Sequence, residues 1–590
     1  MKRQTYIAPL AFLLLFTDPP AANRDTIHPN VLLIMTDDQG YGDFSLHGNP
    51  YVRTPVADRL ATGNIQFERF FVSPLCAPTR ASLLTGRYWL RSGVWGVTQS
   101  KETMRSEEVT LAEALKSAGY RTGMFGKWHN GEQYPYTPPG QGFDEFLGFH
   151  NGHWNNYFDA ELLHGAEFVK TKGYITDVLT DEALKFIETN RRGPFFCYVA
   201  YNAPHAPFQV PDKYFDRFKA RGLDDALAAV YGMCESIDDN LGRLLSKLDE
   251  LKLSENTVVL FLTDNGANTN RYNAGMRGRK GSVHEGGSRV PLFLRWPARF
   301  KQPRVISQIA SHTDLYPTLL DLCGVKIAKG LPLDGRSLRP LLEGGDRLWT
   351  DRILFTHNVR GGQQPAMYPG AARTQQYRLV NEGKGYELYE MLSDPGETRN
   401  LAVERPGMVK KLSQAYEAWY RDASRAGFSR FPIRAGYAEE NPVILQAPQA
   451  YFTGTIHFFG NNGFANDWLT GWTDVSSEIY WDIEVVNAGT YEVSIAYLCP
   501  ASNAGSRIRV AAGKDSLEAE VGATPVREIP PPNRVTAGTE GNTYASMLWA
   551  TLKVGRLDLQ KGRTRLTIRA LEKAGTQVMD LKSASLKRLP

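Results

Sequence analysis

The sequence predicts an α/β protein built on a doubly wound sheet, with a small α+β subdomain and a β-sandwich added at its C-terminal end. Three observations carry this expectation. Two near-identical apolar runs, Val31-Leu32-Leu33-Ile34-Met35 and Thr257-Val258-Val259-Leu260-Phe261-Leu262, have the continuous hydrophobicity of strands buried on both faces. Stretches of helical periodicity separate such runs, the pattern of β-α units. Beyond about residue 445 the pattern changes to alternation, as in 480–485 and 491–497.

Taken in order, the chain opens with Lys2 and Arg3, an apolar run over 6–16, and Pro19-Pro20-Ala21-Ala22. That run is too short to span a bilayer. Residues 1–22 are therefore expected to be an export signal cleaved near Ala22, the alternative being a buried N-terminal segment. No cysteine follows the run and no later stretch is long and apolar, so no membrane anchor is expected. The first strand ends in Thr36-Asp37-Asp38-Gln39-Gly40.

Cys76-Ala77-Pro78-Thr79-Arg80 then opens a short helix, because proline is favoured in a first turn. Leu83 and Leu84 would pack inward and Gly86 would end it. Cys76 is thus expected at a helix N-terminus, where free N–H groups and the dipole favour an anion, with Arg80 one turn on. A helix over 110–119 leads into a strand at 120–125 that ends in Gly126-Lys127-Trp128-His129.

Residues 131–165, rich in Gly, Pro, His and aromatics, read as long functional loops. A helix over 176–190 precedes a strand at 194–201 that ends in Asn202-Ala203-Pro204-His205. A long amphipathic helix over 224–251 follows. The second apolar run ends in Thr263-Asp264-Asn265-Gly266. This places the main α/β domain at 23–340 and the α+β subdomain at 341–430, with strands at 353–356, 377–381 and 386–389 and a closing helix at 408–423. A proline-bearing linker is expected over 430–448, and the β-sandwich over 445–590.

The totals agree with several domains: 590 residues are too many for one ordinary core. Lys and Arg number 68 against 63 Asp and Glu, a net charge of +5 without long like-charge blocks, so nucleic acid is not an expected partner. The five cysteines, at 76, 197, 234, 323 and 499, make no CxxC pair and no disulfide framework. Cys197 and Cys234 read as buried thiols, a bridge between them being the alternative.

In doubly wound sheets the site lies beyond the carboxyl ends of the strands. Four such ends carry polar groups here. Asp37, Asp38, Asp264 and Asn265 are three carboxylates and one carboxamide, a set suited to a hard cation, calcium first and magnesium second. Arg80, Lys127, His129, His205 and Lys280 would make an anion pocket around it. The plainer readings are a packed turn histidine at 205 and a solvated basic loop around 277–287. A nucleophile beside these cations suggests chemistry on a negatively charged ester.

On these residues the chain resembles the type I sulfatases of the alkaline phosphatase superfamily. The resemblance rests on Cys76-Ala77-Pro78-Thr79-Arg80 with Thr85-Gly86, on the run from Gly119 through Gly126-Lys127-Trp128-His129, and on Thr36-Asp37-Asp38. Thr263-Asp264-Asn265-Gly266, Lys280 with Glu285-Gly286-Gly287, and Asp394-Pro395-Gly396-Glu397-Thr398 complete it, over about residues 28–425. It implies an alkaline-phosphatase-like central mixed sheet flanked by helices.

The resemblance also implies that a separate maturation enzyme oxidises Cys76 to Cα-formylglycine. The hydrated aldehyde attacks sulfur, the alcohol leaves, and collapse of the sulfated diol releases sulfate. Asp37, Asp38, Asp264, Asn265 and the modified Cys76 would hold calcium. Arg80, Lys127 and His129 would orient the diol. His205 and Lys280 would bind the sulfate, one of them protonating the leaving oxygen.

The expected substrate is a sulfated glycan and the expected location periplasmic or secreted. His150, Asn151 and His153, in the aromatic loop 148–157, are the expected substrate contacts, with loop packing as the plainer role. Trp468, Trp472, Trp481, Tyr544 and Trp549 would give the sandwich either a sugar-stacking platform or a buried aromatic core. The rival activities are hydrolysis of phosphonate or phosphate monoesters and inactive binding of sulfated glycans.

Overall fold

The computed structural model describes residues 28–326, 330–346, 349–359, 364–460, 462–529 and 546–590. The expected export signal at 1–22 and Tyr544 lie outside them. The central sheet is built from β1 (Asn30–Thr36), β2 (Ile65–Phe71), β3 (Arg121–Lys127), β4 (Glu145–Phe149), β5 (Glu161–His164), β6 (Glu167–Lys170), β7 (Phe195–Ala200), β8 (Thr257–Thr263), β9 (Arg289–Arg295), β10 (Arg304–Ile306) and β11 (Ala310–Ser311). Their order is β10-β2-β9-β8-β1-β7-β3-β4-β5-β6, with β11 beside β2. The middle strands β8, β1, β7, β3 and β4 run parallel, while β9 runs antiparallel to both β8 and β2. The sheet is therefore mixed.

Alternation along β1 divides the core. Val31, Leu33 and Met35 face a cluster containing the helices Cys76–Thr85, Leu111–Ser117 and Leu315–Leu322. Leu32 and Ile34 face a second cluster with Pro55–Thr62, Ile175–Thr189 and Asp225–Glu250. Each of these β1 side chains is fully buried, which stabilises the fold by roughly 1.5–3 kcal/mol per residue.

The expectation of loops throughout 131–165 needs correction. Residues 145–149 form β4, parallel to β3, and β5 begins at Glu161. A glycine hides β4 from a periodicity reading: a Cβ at Gly148 would lie 1.9 Å from the Gly126 carbonyl oxygen, so only glycine allows the two strands to meet.

The small subdomain is an antiparallel sheet of β12 (Leu354–His357), β13 (Gly370–Arg373), β14 (Tyr377–Asn381) and β15 (Tyr386–Glu390), covered by the helix Pro406–Ala423. The sandwich that follows has two sheets around one core. The expected linker over 430–448 is instead largely structured. Ile433–Ala435 pairs with 483–485 in one sheet, and Val443–Gln446 pairs with 583–586 in the other, so the sandwich begins before 445. Glu478–Val485 alternates as expected, burying Ile479, Trp481, Ile483 and Val485. The Asn487-Ala488-Gly489 turn carries the chain across to the other sheet and closes no hairpin.

Trp472 and Trp481 lie in the core, and Trp481 Nε1 donates to the Gln446 carbonyl at 2.9 Å. Trp468 is buried between Phe459 and Trp549, with ring centroids 4.2 and 5.5 Å away. The expected sugar-stacking platform does not form from these side chains.

The sandwich docks on several segments of the main domain. Gln133 and Gln449 exchange amide hydrogen bonds at 2.7 and 3.0 Å. Thr98 Oγ1 donates to the Gly463 carbonyl at 2.7 Å.

Candidate active site

Strand register assembles the acidic set. β1 and β8 pair in parallel from Asn30 opposite Thr257 to Thr36 opposite Thr263. Two apolar runs of equal length thus release Asp37-Asp38 and Asp264-Asn265 side by side at one sheet edge. The Asp264 N–H donates to the Thr36 carbonyl at 3.0 Å and the Asp38 N–H donates to Asp264 Oδ1 at 3.2 Å. Asp38 adopts a φ of 65°, the left-handed bend that turns its side chain back to the site. On the other side of β1, β7 leads to His205 and β3 ends at Lys127.

Cys76 is the first residue of the helix Cys76–Thr85, and Gly86 ends it at φ 68°. Its thiol is buried, and burial pushes its pKa up against the pull of Lys127 and Lys280. Cys76 is therefore not an activated thiolate. Arg80, one turn on, is fully buried. Its Nη2 lies 2.8 Å from Asp264 Oδ2 and its Nη1 donates to the Lys127 carbonyl at 2.9 Å. One guanidinium thus ties the nucleophile helix to the ends of β8 and β3.

Lys127 Nζ lies 2.5 Å from Asp37 Oδ2, both fully buried. His129, at φ 65°, donates from Nε2 to the Val97 carbonyl at 2.8 Å, while its Nδ1 is buried without a hydrogen-bond partner. Burial and the neighbouring Lys127 hold its pKa well below the ordinary histidine value. The ring is therefore neutral, with its Nδ1 lone pair unused. His205 Nε2 approaches Asp38 Oδ2 at 3.6 Å, and its Nδ1 donates to the Ala206 carbonyl at 2.7 Å. Lys280 Nζ lies 2.6 Å from Asp38 Oδ1. Burial alone would lower the Lys280 pKa, but Asp38 raises it overall and keeps the ammonium charged.

The donor set fits a divalent cation. Among the described residues, Asp37 Oδ1, Asp38 Oδ2 and Asn265 Oδ1 are buried oxygens with no hydrogen-bond partner, a costly state for native protein atoms unless something else binds them. Burial, together with the negative charge of Asp37, pushes Asp264 up to about 6 against the pull of Arg80 and Lys127. One ligand atom each of Asp37, Cys76 and Asp264 lie within 4.8 Å of one another, as do those of Asp37, Asp38 and His205. These are acidic residues that could hold a metal, and all the oxygen donors are hard ligands.

Cys76, His129, His205 and Lys280 line a cavity of about 170 Å³. Of the three expected substrate contacts, His153 lines it, its ring parallel to His205 at 6.1 Å. His150 and Asn151 turn away from it. His150 Nδ1 meets the Glu132 carbonyl at 3.0 Å, its ring stacks on Phe146, and Asn151 Nδ2 donates to Glu132 Oε2 at 3.4 Å. Their placement is loop packing. The sequence reading missed Leu75, Val97, Phe464 and Ala465 in the lining. Gly152, quoted within the loop, also lines it, and a Cβ there would lie 2.6 Å from His129 Nε2. Phe464 and Ala465 arrive from the sandwich, and no local pattern announces them.

The glycines of the Glu285-Gly286-Gly287 motif have a packing role. A Cβ at Gly266 would meet the Gly286 carbonyl oxygen at 1.9 Å, and one at Gly287 the Ser282 carbonyl oxygen at 2.0 Å. The segment carrying Lys280 is pressed against the end of β8 by backbone contact. Behind it, Glu285 Oε1 pairs with Arg373 at 3.0 Å and Arg378 at 3.6 Å. Glu397 joins Arg378 at 3.0 Å and His284 at 2.7 Å. All these side chains are buried, so the small subdomain braces the Lys280 loop through ion pairs.

Two family descriptions match the chain: "Sulfatase" over residues 29–325 and "N-sulphoglucosamine sulphohydrolase, C-terminal" over 279–418. Both matches end before the sandwich. Among curated relatives, canine N-acetylgalactosamine-6-sulfatase is 34% identical over 363 residues, covering 55% of this chain and 68% of the relative. Human arylsulfatase A is 32% identical over 473 residues, covering 69% and 89%. Among solved structures, Ps i-CgsB in complex with k-i-k-neocarrahexaose superposes with a TM-score of 0.64 at 28% identity, covering 68% of this chain and 95% of that one.

Proposed function

The chain belongs to the sulfatase family of the alkaline phosphatase superfamily and is a sulfatase, and from that premise we propose that it removes sulfate from a sulfated carbohydrate. The observation that carries the reading of the site is the convergence of three partnerless buried oxygens, Cys76 and five cationic or imidazole side chains at one sheet edge. The carbohydrate preference is supported by the names of the relatives, an N-acetylgalactosamine-6-sulfatase and an enzyme bound to a neocarrahexaose. Residues 2–22 support export to the periplasm or medium. No helix among the described residues is long and apolar enough to cross a membrane.

In this reading a maturation enzyme of the host converts Cys76 to Cα-formylglycine, which in hydrated form offers an oxygen nucleophile. Asp37, Asp38, Asp264 and Asn265, with the converted residue 76, would hold calcium, which would neutralise charge on the sulfate oxygens. Arg80 fixes the Asp264 carboxylate and the start of the nucleophile helix in one geometry. Lys127 does the same for Asp37.

His129 keeps its Nε2 proton on the Val97 carbonyl, so Nδ1 is the atom that accepts a proton from the group at position 76. Lys280 and His205, on the opposite wall, bind the sulfate oxygens, and one of them delivers a proton to the leaving alcohol. The buried setting strengthens each of these interactions.

The test is turnover of matched sulfate and phosphonate monoesters by matured protein, followed by a panel of defined sulfated saccharides. Sulfate esters should be preferred and at least one saccharide desulfated. Preferential phosphonate cleavage would overturn the reading.

A further inference from the structure

The cavity above Cys76 is closed by a second domain. Phe464 and Ala465 of the sandwich line it opposite Cys76, His153 and Lys280. The loop that carries them is held at both ends. Gln99 Nε2 donates to the Asn462 carbonyl at 3.0 Å and Thr98 Oγ1 to the Gly463 carbonyl at 2.7 Å. Asn466 Nδ2 donates to the His153 carbonyl at 3.3 Å and to Asn155 Oδ1 at 3.4 Å.

From within the sandwich the buried Asp467 carboxylate accepts from the Gly460, Gly463 and Trp468 N–H groups at 3.1, 3.1 and 2.8 Å. Lys582 Nζ donates to the Asn466 carbonyl at 2.5 Å. A loop so bound on both sides is preorganised, the condition for a wall that discriminates between ligands.

The same clamp reaches the catalytic side. Thr98 and Gln99 directly follow Val97, whose carbonyl fixes His129. The cavity, at about 170 Å³, is smaller than the roughly 300–1,000 Å³ of ordinary ligand clefts. A cavity of that size limits how much of a saccharide can enter, and the sandwich loop forms part of its wall.

We propose that residues 462–466 form the subsite for the sugar ring that carries the ester, with half-buried Phe464 against its apolar face and Asn466 holding the wall to His153. The sandwich is then a selectivity element of the active site, and a ring at a chain end or in a short saccharide is preferred over one inside a long chain. This rests on the carbohydrate reading above.

The test uses the matured full-length protein with Phe464→Ala and, separately, Asn466→Gly. The second variant keeps the positive φ of 70° while deleting the amide. The measurements are KM for a sulfated saccharide and for an aryl sulfate, and inhibition by inorganic sulfate, which occupies the His205–Lys280 side.

Each variant should raise the saccharide KM about tenfold or more and leave the sulfate inhibition constant within about twofold. Wild-type KM values for both esters in both variants would overturn the proposal. If the wild-type protein turns over only the aryl ester, the carbohydrate reading fails. The subsite is then judged on the aryl KM alone, where an unchanged value in both variants again overturns it.

Discussion

At the scale of single residues, Asp37, Asp38 and Asp264 each meet a cation, Lys127, Lys280 and Arg80, yet the site leaves buried oxygens without a hydrogen bond. Among the described residues, Asp37 Oδ1, Asp38 Oδ2 and Asn265 Oδ1 have no hydrogen-bond partner, and Asp264 is pushed up to about 6. Calcium should therefore bind the folded state and raise its melting temperature, by an amount equivalent to about 2.7 kcal/mol at a hundredfold excess over Kd. Asp264→Ala should abolish most of that shift. A melting temperature indifferent to calcium and to chelator would remove the cation from these residues.

Asp37, Asp38, Asp264, Asn265, Lys127 and Cys76 stood out in the sequence because each sits at the end of a recognisable strand or helix, whereas Lys280 lies in the loop after β8 and stood out only through its motif. His150 and Asn151 were not separable from His153 by sequence. All three share one loop, and their side-chain directions depend on Glu132 behind them.

At the scale of elements, the equal register of β1 and β8 is what converts two acidic turns into one site. The pattern of apolar runs revealed those strands directly. It did not mark β2 or β9, nor β4, whose Gly148 breaks the run, nor β13, which is only four residues of Gly, Ala and Arg.

The Glu285–Arg373–Arg378–Glu397 network joins the small subdomain to the Lys280 loop. Its members are far apart in sequence, so no spacing rule exposes them. Removing Glu285 would leave the buried Arg373 guanidinium without its counter-charge and Arg378 with Glu397 alone. Glu285→Ala should destabilise the protein by about 3–5 kcal/mol, measured by denaturant unfolding. A loss under about 1 kcal/mol would show that the network is not needed to hold the loop.

At the scale of the whole molecule, the sandwich is docked over the site by a polar interface that buries acids. Burial and the nearby Glu102 push Glu132 up to about 8, and burial pushes Glu102 and Glu440 up to about 7, from ordinary values of 4.5. Between those values the folded state keeps protons that the unfolded chain releases. The contribution of these three acids to stability is therefore lost as pH rises from about 4.5 towards 8. Relative to the wild type, Glu132→Gln should melt higher at pH 8 than it does at pH 5. A difference between the two proteins that stays the same at both pH values would mean that the Glu132 carboxyl is solvated.

The separate β-rich region was legible from its alternation. Its start was not, because Ile433–Ala435 and Val443–Gln446 are short strands set among prolines and polar turns. Its contact with the site was not legible either, since docking depends on pairs such as Gln133 with Gln449, 316 positions apart.

The claim that organises all of this is that position 76, converted from cysteine, is the nucleophile of a desulfation. The direct measurement is sulfate release from the saccharide panel by protein whose conversion at 76 has been verified by peptide mass, set beside Cys76→Ala prepared identically. The matured protein should release sulfate from at least one saccharide. The variant should lose about 10³-fold or more in kcat while melting at the same temperature. Desulfation by Cys76→Ala at the wild-type rate would contradict the account.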